Sequence, residues 1–204
     1  MIGRFTITVL LLGVSLLAGC KQDDDTLTTQ QTSIVNYLES SHSPRLMSEK
    51  EAEESIDENP EYYTSYGNNT YRYIATTYAE GRDSWTEVEV GDRVEIYFDA
   101  YVFNYSSLAN TMPYWSNREE TIAAMEETGG KLNPEFWSTD PLVMTAGDPD
   151  LMEGLRSALT GCREGDSVEV YMTYAAAYGS GIIGLVPKES PVAWLFTVEK
   201  VTKN

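Results

Sequence analysis

Few side chains in this 204-residue chain can do covalent or acid–base chemistry. It has one histidine, His42, and two cysteines, Cys20 and Cys162. Ser/His and Cys/His catalysis therefore have almost no material, and a His/Cys metal site is excluded on the same count. No cofactor is expected. Cys162 has nothing nearby in sequence to activate it and reads as a buried packing residue. Aromatic and aliphatic side chains are plentiful, but by pattern alone Phe98, Tyr178 and Trp194 are core aromatics, while Leu151, Met152 and Leu155 are the packing stripe of one helix. Acidic residues number 32 against 14 Lys and Arg, for a formal charge of −18, which leaves no basic face for nucleic acid.

The elements that must position these residues alternate with a period of two. In Arg93 to Phe103 the residues Val94, Ile96, Phe98, Ala100 and Val102 share one face and Glu95, Tyr97, Asp99 and Tyr101 the other, the pattern of a half-buried antiparallel strand. Thr70 to Tyr78, Pro141 to Ala146, Ser167 to Tyr174 and Val192 to Val201 read as further strands, with Val168, Val170, Met172, Trp194, Phe196 and Val198 facing inward. Between them, Leu151, Met152, Leu155 and Leu159 fall on one helical face, with Asp148 or Asp150 as cap and Gly161 as stop. Arg118 to Thr128 reads as a second short helix within a polar stretch that looks inserted, and Thr28 to Ser41 as a third. Strands outnumber helices and no βαβ alternation occurs, so the expected fold class is α+β, an antiparallel β-sheet wrapped on one short α-helix, with an inserted helical segment. Residues 42 to 61 are acidic and turn-rich and are expected to be loosely held.

The first twenty residues differ in kind. One Arg, Arg4, precedes an apolar run from Phe5 to Leu17, about 13 residues long against the roughly 20 that span a bilayer. That is the pattern of a cleaved export signal. Its end, Leu17-Ala18-Gly19-Cys20, resembles the lipobox of bacterial lipoproteins, which implies a signal peptide over 1–19 and a lipid on Cys20. With Cys20 lipidated, no disulfide can form within the chain. Residues 20–61 then form the lipidated Cys, an acidic tether and a short helix. The acidic run Asp23-Asp24-Asp25 resembles the surface-export signal of Bacteroidetes lipoproteins, although a plain spacer reads the same, and Asp25-Thr26-Leu27 resembles a glycosylation site of that group.

Over residues 70 to 201 the order of several strings resembles the FKBP family. Val90-Gly91-Asp92-Arg93-Val94-Glu95-Ile96 is similar to that family's strand entry. Met152-Glu153-Gly154-Leu155, with Leu159-Thr160-Gly161 and Arg163-Glu164-Gly165-Asp166, is similar to its helix and following turn. Ala177-Tyr178-Gly179, Gly184-Leu185-Val186-Pro187 and Ser190-Pro191-Val192-Ala193-Trp194 are similar to its long loop and last strand. The resemblance implies an FKBP-like domain over 62–204, interrupted by an insertion at about 104–135. It also implies a pocket for a proline ring, whose catalytic wall is Phe98, Met152, Leu155, Tyr178 and Trp194 and whose further substrate-binding members are Phe136, Leu142, Leu151, Leu185 and Val186.

The chemistry implied is peptidyl-prolyl cis-trans isomerisation. Rotation about X-Pro faces a barrier of about 18 to 20 kcal/mol set by amide resonance. A twisted amide is less dipolar, so a dry apolar cavity favours it over the planar ground state with no acid, base or metal. In the family a backbone N–H, here of Met152, and a Tyr hydroxyl, here Tyr178, hold substrate carbonyls. Several positions depart from the pattern: Leu155 stands where the family has Trp, Phe98 where it has Tyr and Trp194 where it has Phe, and the carboxylate expected beside Phe136 is replaced by Trp137. The expected function is a weak isomerase assisting the folding of exported proteins. The alternative is a non-catalytic FKBP-fold binding module or chaperone, favoured by the aromatics Phe103, Tyr114 and Trp115 near or within the insertion. The expected partners are proline-containing segments and, through Cys20, a membrane. A monomer in the bacterial cell envelope is expected, anchored to the outer membrane and either periplasmic or surface-exposed.

Overall fold

The computed structural model describes residues 17–204, with side chains from Asp25 onward. The expected signal peptide (1–19) and the Cys20 thiol therefore lie outside the described residues, apart from the backbone of 17–20. In chain order the elements are α1 (Leu17–Ser40), β1 (Met47–Ser48), α2 (Glu49–Glu53), β2 (Tyr62–Tyr66), β3 (Thr70–Ile74), β4 (Arg93–Val102), β5 (Trp115–Ser116), α3 (Glu119–Gly129), β6 (Leu142–Thr145), α4 (Glu153–Leu159), β7 (Ser167–Met172) and β8 (Val192–Thr202). The architecture is α+β. An open sheet of eight strands runs β1-β2-β3-β7-β8-β4-β5, with β6 also on β4. Every pairing is antiparallel except β1 with β2.

The alternation read in the sequence sets the first face of this sheet. Val94, Ile96, Phe98 and Ala100 of β4, Val168, Val170 and Met172 of β7, and Val192, Trp194, Phe196 and Val198 of β8 are all buried, and they pack with Leu155, Ala158 and Leu159 of α4. Gly154 lets α4 lie this close, since a Cβ there would stand 2.3 Å from the Met172 sulfur. At the far end of α4, Arg72 donates to the carbonyls of Ala158 and Thr160 at 2.9 and 2.7 Å, placing a cation where the last carbonyls need partners. The helix begins at Glu153, after Met152, with no side-chain cap, so neither Asp148 nor Asp150 caps it. Asp148 instead accepts the Asp150 N–H and closes the preceding turn.

Two motif aspartates prove structural. Asp166, fully buried, takes both forks of Arg82 at 2.7 and 2.6 Å and also accepts from Thr76 and the Arg163 N–H. Asp92 accepts the Glu89 N–H and the Lys203 ammonium, tying the entry of β4 to the chain's last residues. Paired and hydrogen-bonded, such carboxylates hold turns.

The second face corrects the expectation of a sheet wrapped on one helix. α1 is 24 residues long, and Ile34, Tyr37 and Leu38, with Leu46 beyond it, are buried against Tyr63, Tyr71, Tyr73, Phe103, Tyr171 and Ala193. Residues 42 to 61 are likewise better held than expected: His42 and Leu46 are buried, and Ser48 caps α2 in a reciprocal box with Glu51. The acidic composition misled because the carboxylates serve as hydrogen-bond acceptors. Tyr63 donates to Glu39 and Tyr73 to Glu61, each at 2.9 Å, and Tyr171 donates to Glu169. Among the described residues no helix is long and apolar enough to cross a membrane.

Candidate functional site

The residues singled out from the sequence separate by depth into three tiers. Phe98, Leu155, Val186 and Trp194 are at most 2 % exposed. They are the foundation of a site, since nothing in solvent reaches them. Leu142, Leu151, Met152 and Tyr178 are partly buried and packed against the same core. Leu185 and Phe136 stand out into solvent at 73 % and 68 % exposure, each on a loop. Five surface cavities are described, and none is lined by any of these ten residues. None of the ten therefore opens onto one of these five cavities.

The inserted segment lies over the buried members. β5 pairs with the end of β4, Ala100 opposite Trp115 and Asp99 opposite Ser116, which brings Trp115 over the foundation. Its ring meets Phe98 edge-on at 4.7 Å between centroids and Trp194 at 5.7 Å, while Phe98 and Trp194 stack on each other at 4.6 Å. Such pairings add about 0.5 to 1.5 kcal/mol each beyond burial. β5 is only two residues long, yet it is firmly held. Asn117, buried, accepts the Phe98 N–H at 2.7 Å and donates to the carbonyls of Ile96 and Asp140, and Ser116 donates to the Phe98 carbonyl. Phe136, expected in the wall, contributes its carbonyl to the Trp115 indole N–H at 2.8 Å while its ring points away. The aromatic beside Phe98 is thus Trp115, and Phe103, from the same stretch, turns to the opposite face against Tyr37 and Tyr171.

Tyr114 completes the cover. Its hydroxyl accepts the Trp194 indole N–H at 2.8 Å and lies 3.1 Å from the hydroxyl of Tyr178. Burial, above all, pushes both phenols above their ordinary value, so both remain neutral donors at physiological pH. At the start of α4 the Leu151 N–H bonds the Asp148 carbonyl, and the Met152 N–H bonds no described residue. The loop carrying Tyr178 and Leu185 is pinned from the other side of the sheet. Gln30 of α1, 4 % exposed, accepts the Tyr174 N–H at 2.9 Å and donates to the Glu189 carbonyl at 2.8 Å. The sequence reads Tyr114, with Trp115 and Phe103, only as extra aromatic surface near the pocket, and it gives Gln30 no role. The one signal in sequence is the pair Tyr114-Trp115 directly after Pro113, an aromatic run too short to declare itself a strand.

The remaining candidates for covalent chemistry are occupied. His42 is buried, with Nε2 2.9 Å from Glu169 and Nδ1 against the Pro44 carbonyl, and its ring packs among Tyr37, Tyr73 and Tyr171, so the imidazole is committed to the second core and does not face the candidate site. Burial pushes the Cys162 thiol up to about 11, and its sulfur sits 3.2 Å from the Ala158 carbonyl, which keeps it protonated and inert. No cluster of His, Cys, Asp and Glu suited to a metal exists among the described residues. No family model matches the chain, and no curated protein matches it.

Proposed function

We propose that this domain is FKBP-like in function as well as in motif order, gripping proline-containing extended segments over a shallow aromatic face and isomerising them slowly. The observation that carries this reading is the placement of Tyr178, partly buried, hydrogen-bonded to Tyr114 and packed against the same core as Met152 at the start of α4. A hydroxyl and a backbone N–H beside apolar walls can take two carbonyls of an extended chain and leave a prolyl ring against Leu142, Leu151 and Trp115. Slow turnover follows from the same geometry. A twisted amide gains most from enclosure, and here Phe98, Leu155 and Trp194 are sealed beneath Tyr114 and Trp115, so the ring rests on the face instead of entering it. That sealing also favours the second reading, a binding module of the cell envelope with no turnover at all.

The two readings separate in one experiment, a titration of the labelled protein with a short proline peptide followed by the peptide's cis-trans exchange rate. Shifts at Tyr178, Met152 and Trp115 with faster exchange support the isomerase, and the same shifts with unchanged exchange support the binding module. Tyr178→Ala is expected to weaken both binding and exchange. A peptide that leaves all three residues unmoved rules out this face as the site. The envelope location is supported by the lipobox resemblance at Cys20 alone. Mature protein lacking a lipid and washing from membranes at low salt would overturn that part, while Cys20→Ala is expected to release it.

A further inference from the structure

The inserted segment supplies a residue to the site that the motif order does not contain. An indole N–H can only donate, so in the 2.8 Å contact Trp194 donates and Tyr114 accepts. Tyr114 keeps one hydrogen of its own, and the one acceptor it meets among the described residues is the Tyr178 oxygen at 3.1 Å. Pointed elsewhere, that hydrogen would be an unmet donor in a largely buried place, which is the unfavourable arrangement. The chain of donation therefore runs from Trp194 to Tyr114 to Tyr178, and it leaves the Tyr178 hydrogen, with no other partner among the described residues, at its end. Successive hydrogen bonds of one direction polarise each other, so the last hydroxyl is both oriented and strengthened as a donor.

We infer that Tyr114 is a positioning residue of the binding face: through its hydroxyl it fixes Tyr178 as a hydrogen-bond donor to a carbonyl of the bound proline-containing segment. The inference rests on the proline-segment reading above. It gives the inserted segment a task beyond covering the core, and its anchoring suits that task, since Ser116 and Asn117 hold the following residues to β4 with buried hydrogen bonds. A displaceable lid would not be tied this way.

The test is a double-mutant cycle on the full chain with a short proline peptide as probe. Tyr114→Phe keeps the ring and removes the hydroxyl, and Tyr178→Phe removes the donor itself. Each is expected to weaken binding about three- to tenfold, the range for one neutral hydrogen bond. The double variant is expected to be no weaker than Tyr178→Phe alone, because Tyr114 acts only through Tyr178. A merely structural Tyr114 would show additive losses, and additivity overturns the inference. So does a folded Tyr114→Phe that binds like wild type. Should Tyr114→Phe fail to fold, Trp194→Phe removes the first donor of the chain and is read by the same cycle. A wild-type protein that binds no proline peptide overturns the functional reading itself, an outcome distinct from wild-type binding that Tyr114→Phe leaves untouched.

Discussion

Under α4 the sheet buries Val94, Ile96, Val168, Val170 and Val198, whereas under α1 it buries Tyr63, Tyr71, Tyr73 and Tyr171. The first face mixes aliphatic packing with Phe98, Trp194 and Phe196, and the polar atom these rings bring, the Trp194 indole N–H, is answered by Tyr114. The second is held by rings whose hydroxyls must be answered, and Glu39, Glu61, Glu169 and the Asn68 carbonyl answer them. A tyrosine face needs acceptors in register, so the acidic stretch that looks like a solvated tether supplies the polar half of a core. The two faces also meet at the site: Gln30 of α1 holds the loop whose Tyr178 lies over the first face.

The sharpest way to break this comparison is to delete residues 21–61. If α1 were a tether, the remainder would keep its stability. The deletion instead takes Ile34, Tyr37, Leu38 and Leu46 out of the second core, and at about 1.5 to 3 kcal/mol for each large side chain the loss is roughly 6 to 12 kcal/mol, comparable to the whole stability of a domain. The truncated chain is expected to be unfolded or aggregated in urea titration and to bind no peptide, since Gln30 leaves with it. A truncated form with wild-type unfolding would show that the second face is incidental. At a single position, Leu38→Ala and Leu159→Ala, both at 0 % exposure on opposite faces, are each expected to destabilise by about 2 to 5 kcal/mol. Equal losses in urea midpoint make the faces partners; a loss confined to Leu159 makes α1 a passenger.

The difference between the faces also explains what could be read beforehand. Alternation identified β4, β7 and β8 and the inward set of each, because Val, Ile and Phe against Glu and Asp leave one register. Tyr171 was not legible as core, since it alternates with the inward Val170 and Met172 and shares its face with Glu169, and Tyr73 follows Arg72; each reads as an outward position until its acceptor is known, and Glu61 and Glu169 become acceptors only in the folded chain. In the candidate site, the pattern reads Phe98, Leu155 and Trp194 as core residues but not what covers them and sets how deep they lie. That depth depends on Tyr114 and Trp115, which pair with β4 across an intervening loop and leave no periodic trace. Leu185 and Phe136 were legible as apolar but not as exposed, because loop orientation has no signature in spacing.

A smaller effect is expected where the second face carries charge. His42 lies among the rings of Tyr37, Tyr73 and Tyr171 with Glu169 on β7 and Glu61 ahead of β2 facing it. Burial alone would lower its pKa, but the hydrogen bonds to Glu169 and the Pro44 carbonyl, with the charges of Glu169 and Glu61, outweigh it and hold the imidazole above its ordinary 6.5. The folded value is raised, so this contribution is fully present below 6.5 and is lost as pH rises through the folded value. Thermal unfolding of the wild type is expected to weaken across that window. Glu169→Gln removes about 1.5 to 3 kcal/mol below it and flattens the profile. A wild-type protein that gains stability as pH rises there would contradict the pairing.

The smallest effect decides whether the rings or the hydroxyls hold the second face. Tyr63 is buried to 5 % exposure and donates to Glu39 at 2.9 Å, but Glu39 itself is exposed on α1. In Tyr63→Phe the ring still fills its place against Tyr71, with centroids 5.8 Å apart, and the freed carboxylate returns to water without desolvation. Only the net value of one exposed hydrogen bond is lost, so the expected destabilisation is about 0.5 to 1 kcal/mol, read as a small drop in urea midpoint at an unchanged slope. Tyr63→Ala removes the ring as well and is expected to lose several times more, within the 3 to 5 kcal/mol typical of a large aromatic deletion, that is about 3 kcal/mol or above. If instead Tyr63→Phe loses as much as Leu38→Ala, the bond to Glu39 anchors α1 and the ring is secondary, and the acidic residues of the N-terminal segment become the principal support of that face.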